Sequence, residues 1–167
     1  NIVLVRMMGL EEYGRYCYFI SIINFFSIFA IFGFDNANIK YLSKYFANKQ
    51  YNFFLKFYLK SERFVLRTSF LLVSLVIALT YLFWDDFQNK IYFIFIGSFL
   101  IPSKALANIY FSVLRAMERL YLYLSISLIL RPLCIIFLLF ILDQFLNYKI
   151  NIENYFLINL SIYLVII

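Results

Sequence analysis

The chain has 167 residues, of which 65% are hydrophobic, 23% aromatic and 14% charged, with a formal net charge of +6. A soluble domain holds nearer a quarter charged residues and about half apolar ones, so these proportions exclude an ordinary water-soluble core. Histidine is absent, and no Ser/His/Asp arrangement, zinc-type cluster or phosphate-cradling glycine loop occurs, so no enzymatic chemistry is expected.

Several runs approach or exceed the roughly 20 apolar residues that cross a bilayer as a helix. The alternating strands of about ten residues that mark a transmembrane barrel are missing. The expected fold is therefore all-α, a polytopic transmembrane helical bundle. The chain opens at Asn1 inside one apolar run and closes at Ile167 inside another, so it reads as an internal fragment of a longer protein.

In chain order, the end of a first span covers Asn1 to about Met8, and a second span runs from about Tyr13 to Phe34. A basic, aromatic stretch follows, with an interfacial helix expected over about 38–63 and a third span from about Phe64 to Phe83. The polar link Trp84 to Lys90 leads to a fourth span, about Ile91 to Val113. A tight turn at Arg115 to Arg119 precedes a fifth span, about Leu120 to Leu142. The link Asp143 to Asn154 leads to a sixth, about 155–167. Cys17 and Cys134 both fall inside spans and read as small buried apolar residues rather than a disulfide or metal site.

Basic residues set the orientation. Lys40, Lys44, Lys49, Lys56, Lys60, Arg63, Arg67, Arg115 and Arg119 share one side, against Arg6, Arg15, Lys90 and Lys149 on the other. The richer side is expected to be cytoplasmic. Lys56, Lys60, Arg63 and Arg67 recur at helical spacing among Phe53, Phe54, Phe57 and Tyr58. Such a stripe suits a helix at the membrane surface, its cations reaching anionic lipid head groups, and the flanking spans argue against nucleic acid as the partner.

Two cations lie where insertion is costly. Lys104 is about thirteen residues into the fourth span and Arg131 about eleven into the fifth, close to the bilayer midplane at roughly 1.5 Å per residue. Each costs roughly 2.5–3.5 kcal/mol on insertion scales and needs a polar surrounding. Gly97, Lys104, Asn108, Ser112 and Arg115 fall within a sector of about 80°, a polar seam that also contains Ile101. Pro102 and Pro132 interrupt the two helical ladders nearby. In the second span, Cys17, Ser21, Asn24 and Asp35 share a narrower polar sector. No carboxylate lies near the midplane, so either acids elsewhere in the protein pair with the cations, or the cations line a water-filled cavity for an anion. The second reading is preferred, with phosphate or pyrophosphate as a suitable anion.

The segment Arg6-Met7-Met8-Gly9-Leu10-Glu11-Glu12-Tyr13-Gly14 resembles the R-x-x-G-x-x-x-[YF]-G signature of polysaccharide flippases, the O-antigen and capsule exporters of the MOP superfamily. Gly33 to Ala37 with Lys40 to Tyr45, and Leu114 to Arg119 with Leu130 to Leu133, are similar to later segments of that family in order and spacing. Leu10 departs from the proline the family often has there. The resemblance implies the N-terminal lobe of a MOP/MATE-like flippase in the bacterial inner membrane. Such a protein moves an undecaprenyl-pyrophosphate-linked oligosaccharide outward by alternating access. It implies a pyrophosphate site with Arg6, to which the cavity argument adds Lys104, Asn108 and Arg131. Asp35, Lys40 and Arg115 are candidates for a cytoplasmic gate or cavity edge. No cofactor is expected; sodium or proton coupling is common among relatives, but no acidic coupling site stands out. Lipids with anionic head groups and other polysaccharide assembly proteins are the expected partners. Multidrug export is the main rival, and it would favour buried acids over buried cations. A membrane glycan polymerase would carry a large outward loop.

Overall fold

The computed structural model describes Val5 and residues 9–83, 87–146 and 152–166. Arg6, most of the first span, the acids Asp85 and Asp86, and Lys149 lie outside the described residues. Every described element is helical: α1 Leu10–Ile31, α2 Phe34–Ala47, α3 Tyr51–Phe83, α4 Phe87–Ala116, α5 Leu120–Leu124, a π-helical segment Ser125–Leu130, α6 Arg131–Leu146 and α7 Ile152–Ile166. The chain is all-α. By length and composition, two stretches among the described residues suffice to cross a membrane, Leu10–Ile31 and Leu120–Leu138.

Local chemistry explains the breaks. Gly9 precedes α1 at φ 85°, a conformation that glycine adopts without a Cβ penalty, and Glu11 and Glu12 then sit in the first turn where the helix dipole favours acids. Phe32 at φ 51° and Gly33 at φ 78° end α1 and start α2. The second span, expected to reach Phe34, thus stops at Ile31, and Asp35 belongs to a different helix from Cys17 and Asn24. Their common polar sector is lost at that corner.

The expected interfacial helix is also divided. Lys49 adopts φ 57°, and the Gln50 N–H reaches the Tyr45 carbonyl at 2.9 Å, closing α2 with a Schellman-type turn. From Tyr51 the backbone then runs unbroken to Phe83, passing through the boundary expected at Arg63. The expected tight turn after α4 has the same construction. Glu118 lies at φ 59° and the Arg119 N–H bonds the Leu114 carbonyl at 3.0 Å.

Helix α4 is the axis of the bundle, packed by α1, α2, α3 and α7. Small residues stand beside the fully buried Leu100, Ile101 and Ile109 at its contacts: Ala105, Ala107 and Ser112 are all but fully buried, as are Ser27 and Ala30 on α1 and Ser61 and Ser69 on α3. Small side chains let helix backbones approach closely. Two side-chain bonds tie the helices at these contacts. Thr68 Oγ1 donates to the Ala30 carbonyl at 2.7 Å, joining α3 to α1, and Asn38 Nδ2 donates to Ser112 Oγ at 3.1 Å, joining α2 to α4. Many large apolar side chains point outward, among them Phe25, Phe70, Leu71, Leu128 and Phe137. Cys134, expected in the interior, is exposed on this outer surface as a free thiol.

A Cβ built at Gly97 would meet Ile23 Cδ1 at 3.4 Å, an ordinary contact distance. Gly97→Ala is therefore expected to be accommodated. Gly97→Leu would overpack the α1–α4 contact and cost about 1–3 kcal/mol. Thermal unfolding in detergent should separate the two variants, and equal stability would show that the contact is not tight.

Candidate functional site

A cavity of about 340 Å³ opens where α1, α4, α6 and α7 meet. Each of the last three helices supplies residues one turn apart: Leu100 and Lys104, Arg131 and Ile135, Asn159 and Tyr163. Residues at i and i+4 stand above one another on a helix, so each helix presents one strip of its surface. Helix α1 contributes a longer strip that includes Tyr13, Tyr16, Cys17 and Asn24.

Lys104 and Arg131, separated in sequence by the α4–α5 turn, line this one cavity. Lys104 Nζ donates to Asn24 Oδ1 across to α1. The Arg131 guanidinium lies over the Tyr163 ring, with its central carbon 4.3 Å from the ring centroid, a cation–π contact between α6 and α7. Among the described residues, no acceptor reaches the buried Arg131 Nε, and the buried Ser127 hydroxyl one turn earlier has no partner either. No carboxylate is found among the cavity's described lining residues. Both cations thus rest against neutral groups, which gives the cavity a positive character suited to an anion.

The local backbone around Arg131 is unusual. Pro132 carries no N–H to continue the α-helical ladder, and the six residues before Arg131 form a π-helical turn. Helix α4 continues through Pro102, where the Ser103 hydroxyl donates to the carbonyls of Phe99 and Leu100, both at 3.1 Å.

Other residues of the expected site go elsewhere. Asn108 is partly buried on α4 below Lys104 but does not line the cavity. Ser112 is taken up by Asn38, and Gly97 faces Ile23, so much of the polar seam is a helix-packing surface. Asp35 occupies the first turn of α2, and Lys40 lies exposed on the same helix with Nζ 5.9 Å from its neighbour Tyr41's ring centroid. Arg115 closes α4 and lies over the Tyr123 ring at 5.2 Å, bracing the turn into α5. These three do not line the cavity. Arg6 lies outside the described residues. Sequence reasoning missed Tyr13, Tyr16, Asn159 and Tyr163 as lining residues. The i, i+4 spacing of Asn159 and Tyr163 was visible, but 15 tyrosines and 22 phenylalanines dilute any aromatic signal.

The basic stripe stays together. Lys56, Lys60, Arg63 and Arg67 line one open groove of about 480 Å³ along α3, with Leu59 and Phe64. On the other flank of α3, Tyr110 Oη donates to Glu62 Oε1 at 3.2 Å, and the Tyr58 and Tyr110 rings lie 6.1 Å apart. Burial, followed by the influence of Tyr110 and Glu62, pushes the Tyr58 hydroxyl above its ordinary range, so it stays protonated. Among the described residues, no group of His, Cys, Asp and Glu gathers to hold a metal ion.

The chain matches no protein-family model, no curated protein and no solved structure.

Proposed function

We propose that this chain belongs to a multi-pass transporter of the bacterial inner membrane that flips an undecaprenyl-pyrophosphate-linked oligosaccharide, an O-antigen or capsule repeat unit, by alternating access. The observation that carries the reading is the meeting of Lys104 and Arg131 in one cavity with no described carboxylate beside them. Burying two cations against neutral groups is costly, and a pyrophosphate supplies the missing charge. The distribution of side chains supports immersion in lipid: many large apolar residues, among them Phe25, Phe70, Leu71, Leu128 and Phe137, are exposed on the outside of the bundle. The basic groove on α3 suits the anionic head groups of a cytoplasmic leaflet.

A reconstitution tests the proposal. Proteoliposomes carrying the protein and a fluorescent polyprenyl-pyrophosphate disaccharide are challenged with a membrane-impermeant quencher, and transbilayer movement is followed over time. Movement well above that in protein-free vesicles is the expected result. A rate equal to the empty vesicles, or accumulation of an organic cation dye in place of the glycolipid, would overturn the proposal.

A further inference from the structure

Helix α3 is longer than a membrane crossing requires. Its 33 residues rise about 50 Å, against a hydrocarbon core of about 30 Å. With the apolar run from Phe64 to Phe83 across the membrane, Tyr51 to Arg63 stands beyond the hydrocarbon on the cytoplasmic side. The backbone is unbroken at Arg63, so the basic stripe runs outward along this overhang instead of lying flat in the membrane surface. Lys56, Lys60, Arg63 and Arg67 are all exposed and follow one face for about 16 Å. A head-group layer is only about 5–8 Å deep. Lipid phosphates therefore reach the inner pair, Arg63 and Arg67. Lys56 begins about 10 Å beyond Arg63, and Lys60 lies between them.

We propose that the outer part of this groove docks an acidic, amphipathic helix of a cytoplasmic protein. The inference rests on the membrane placement in the reading above, not on the substrate. Among the described residues no carboxylate pairs with the four cations. Glu62, their neighbour on the other flank of α3, instead accepts from Tyr110. A further flank of the overhang is closed by α2, through Tyr41 against Phe57 and Tyr45 against Phe53. The basic face is thus left open, on a chain whose formal net charge is +6.

Exposed ion pairs contribute little singly, so a partner must present several carboxylates together. A helix does so: glutamates at i, i+4, i+7 and i+11 share one face over the same length as the groove. That spacing reads the same from either end, so both helix directions fit. Leu59 and Phe64, 41% and 38% exposed, lie among the cations and supply apolar contact for the partner's own apolar stripe.

The test places the full chain in phosphatidylcholine nanodiscs and titrates it with a fluorescent synthetic helix carrying glutamates at that spacing and leucines beside them. An isomer of scrambled order is the control, and binding to empty nanodiscs is subtracted. Anisotropy should show the patterned helix binding about tenfold more tightly than the isomer. Lys56→Glu combined with Lys60→Glu should weaken it about tenfold, and a helix with lysine in place of glutamate should then prefer this double variant. Salt at about 0.5 M should also weaken binding, because exposed charges are screened. Equal binding of helix and isomer, or indifference to the charge reversal, would overturn the proposal. Loss of binding when about a third of the lipid is phosphatidylglycerol would make the groove a lipid site and overturn it too. A fluorophore on Lys56→Cys, quenched by head-group spin labels as strongly as one on Arg67→Cys, would show the stripe lying in the surface, with the same consequence. Glycolipid movement is measured on the same protein. Helix binding without movement removes the transport reading and keeps the docking face; movement without helix binding removes the docking face alone.

Discussion

Lys104→Ala and Arg131→Ala are each expected to abolish surface polysaccharide when supplied to a flippase-deficient strain, while the protein still reaches the membrane at normal levels. A hydrogen bond to a charged group contributes about 1.5–3 kcal/mol, so losing one cation from an anion site weakens binding by roughly tenfold to a hundredfold. The fold should survive these changes for a specific reason. Removing one member of a buried ion pair strands its partner charge, which is severely destabilising. Here the described neighbours are the neutral Asn24 and the Tyr163 ring, so no described carboxylate is stranded. Lys104→Arg keeps the positive charge at the same strip of α4 and should be milder than the alanine change. Full surface polysaccharide in both alanine variants, with blots showing equal membrane levels, would remove the cavity from consideration.

The largest effect on stability is expected at Leu42. This side chain is fully buried where α2 docks on the bundle, one turn after the buried Asn38 that bonds Ser112. Truncation to alanine removes buried methyl groups and leaves a cavity, at a cost of about 2–5 kcal/mol. Helix α2 is short and is joined to its neighbours by tight turns at both ends. Ring contacts such as Phe34–Phe64 and Tyr41–Phe57 also join it to α3, but Leu42 is the apolar side chain it buries completely. Leu42→Ala should lower the thermal unfolding temperature in detergent and speed proteolysis at the Asn48–Gln50 turn. The exposed Asn36→Ala on the same helix should change neither. An unchanged melting temperature for Leu42→Ala would mean that α2 contributes little to holding the bundle.

What was legible in the sequence was local. Composition and apolar runs excluded strands and pointed to helices, because backbone groups in apolar surroundings must bond within their own segment. The basic stripe was equally plain: Lys56, Lys60, Arg63 and Arg67 lie on one helix, where spacing alone decides which side chains share a face. The depth of Lys104 and Arg131 in their apolar runs marked them as unusual for the same reason.

Other features depended on backbone choices that residue type announces weakly. The α2–α3 break places Lys49, rather than a glycine, in the left-handed conformation, and Glu118 does the same after α4. The corner at Phe32 and Gly33 detaches Asp35 from Asn24, which no helical wheel drawn through that point can show. The π-helical turn directly precedes Arg131 and Pro132, yet α4 runs through Pro102 as an α-helix, so a proline alone does not announce such a turn.

Tertiary structure alone decided that the two deep cations line one cavity. Their meeting requires strips of α1, α4, α6 and α7 to face a common space, and those strips are set by contacts between helices far apart in sequence. The same packing turned Ser112 and Gly97 from a polar path into helix contacts. Periodicity defines the faces of each helix; only close packing of one helix on another determines which faces meet.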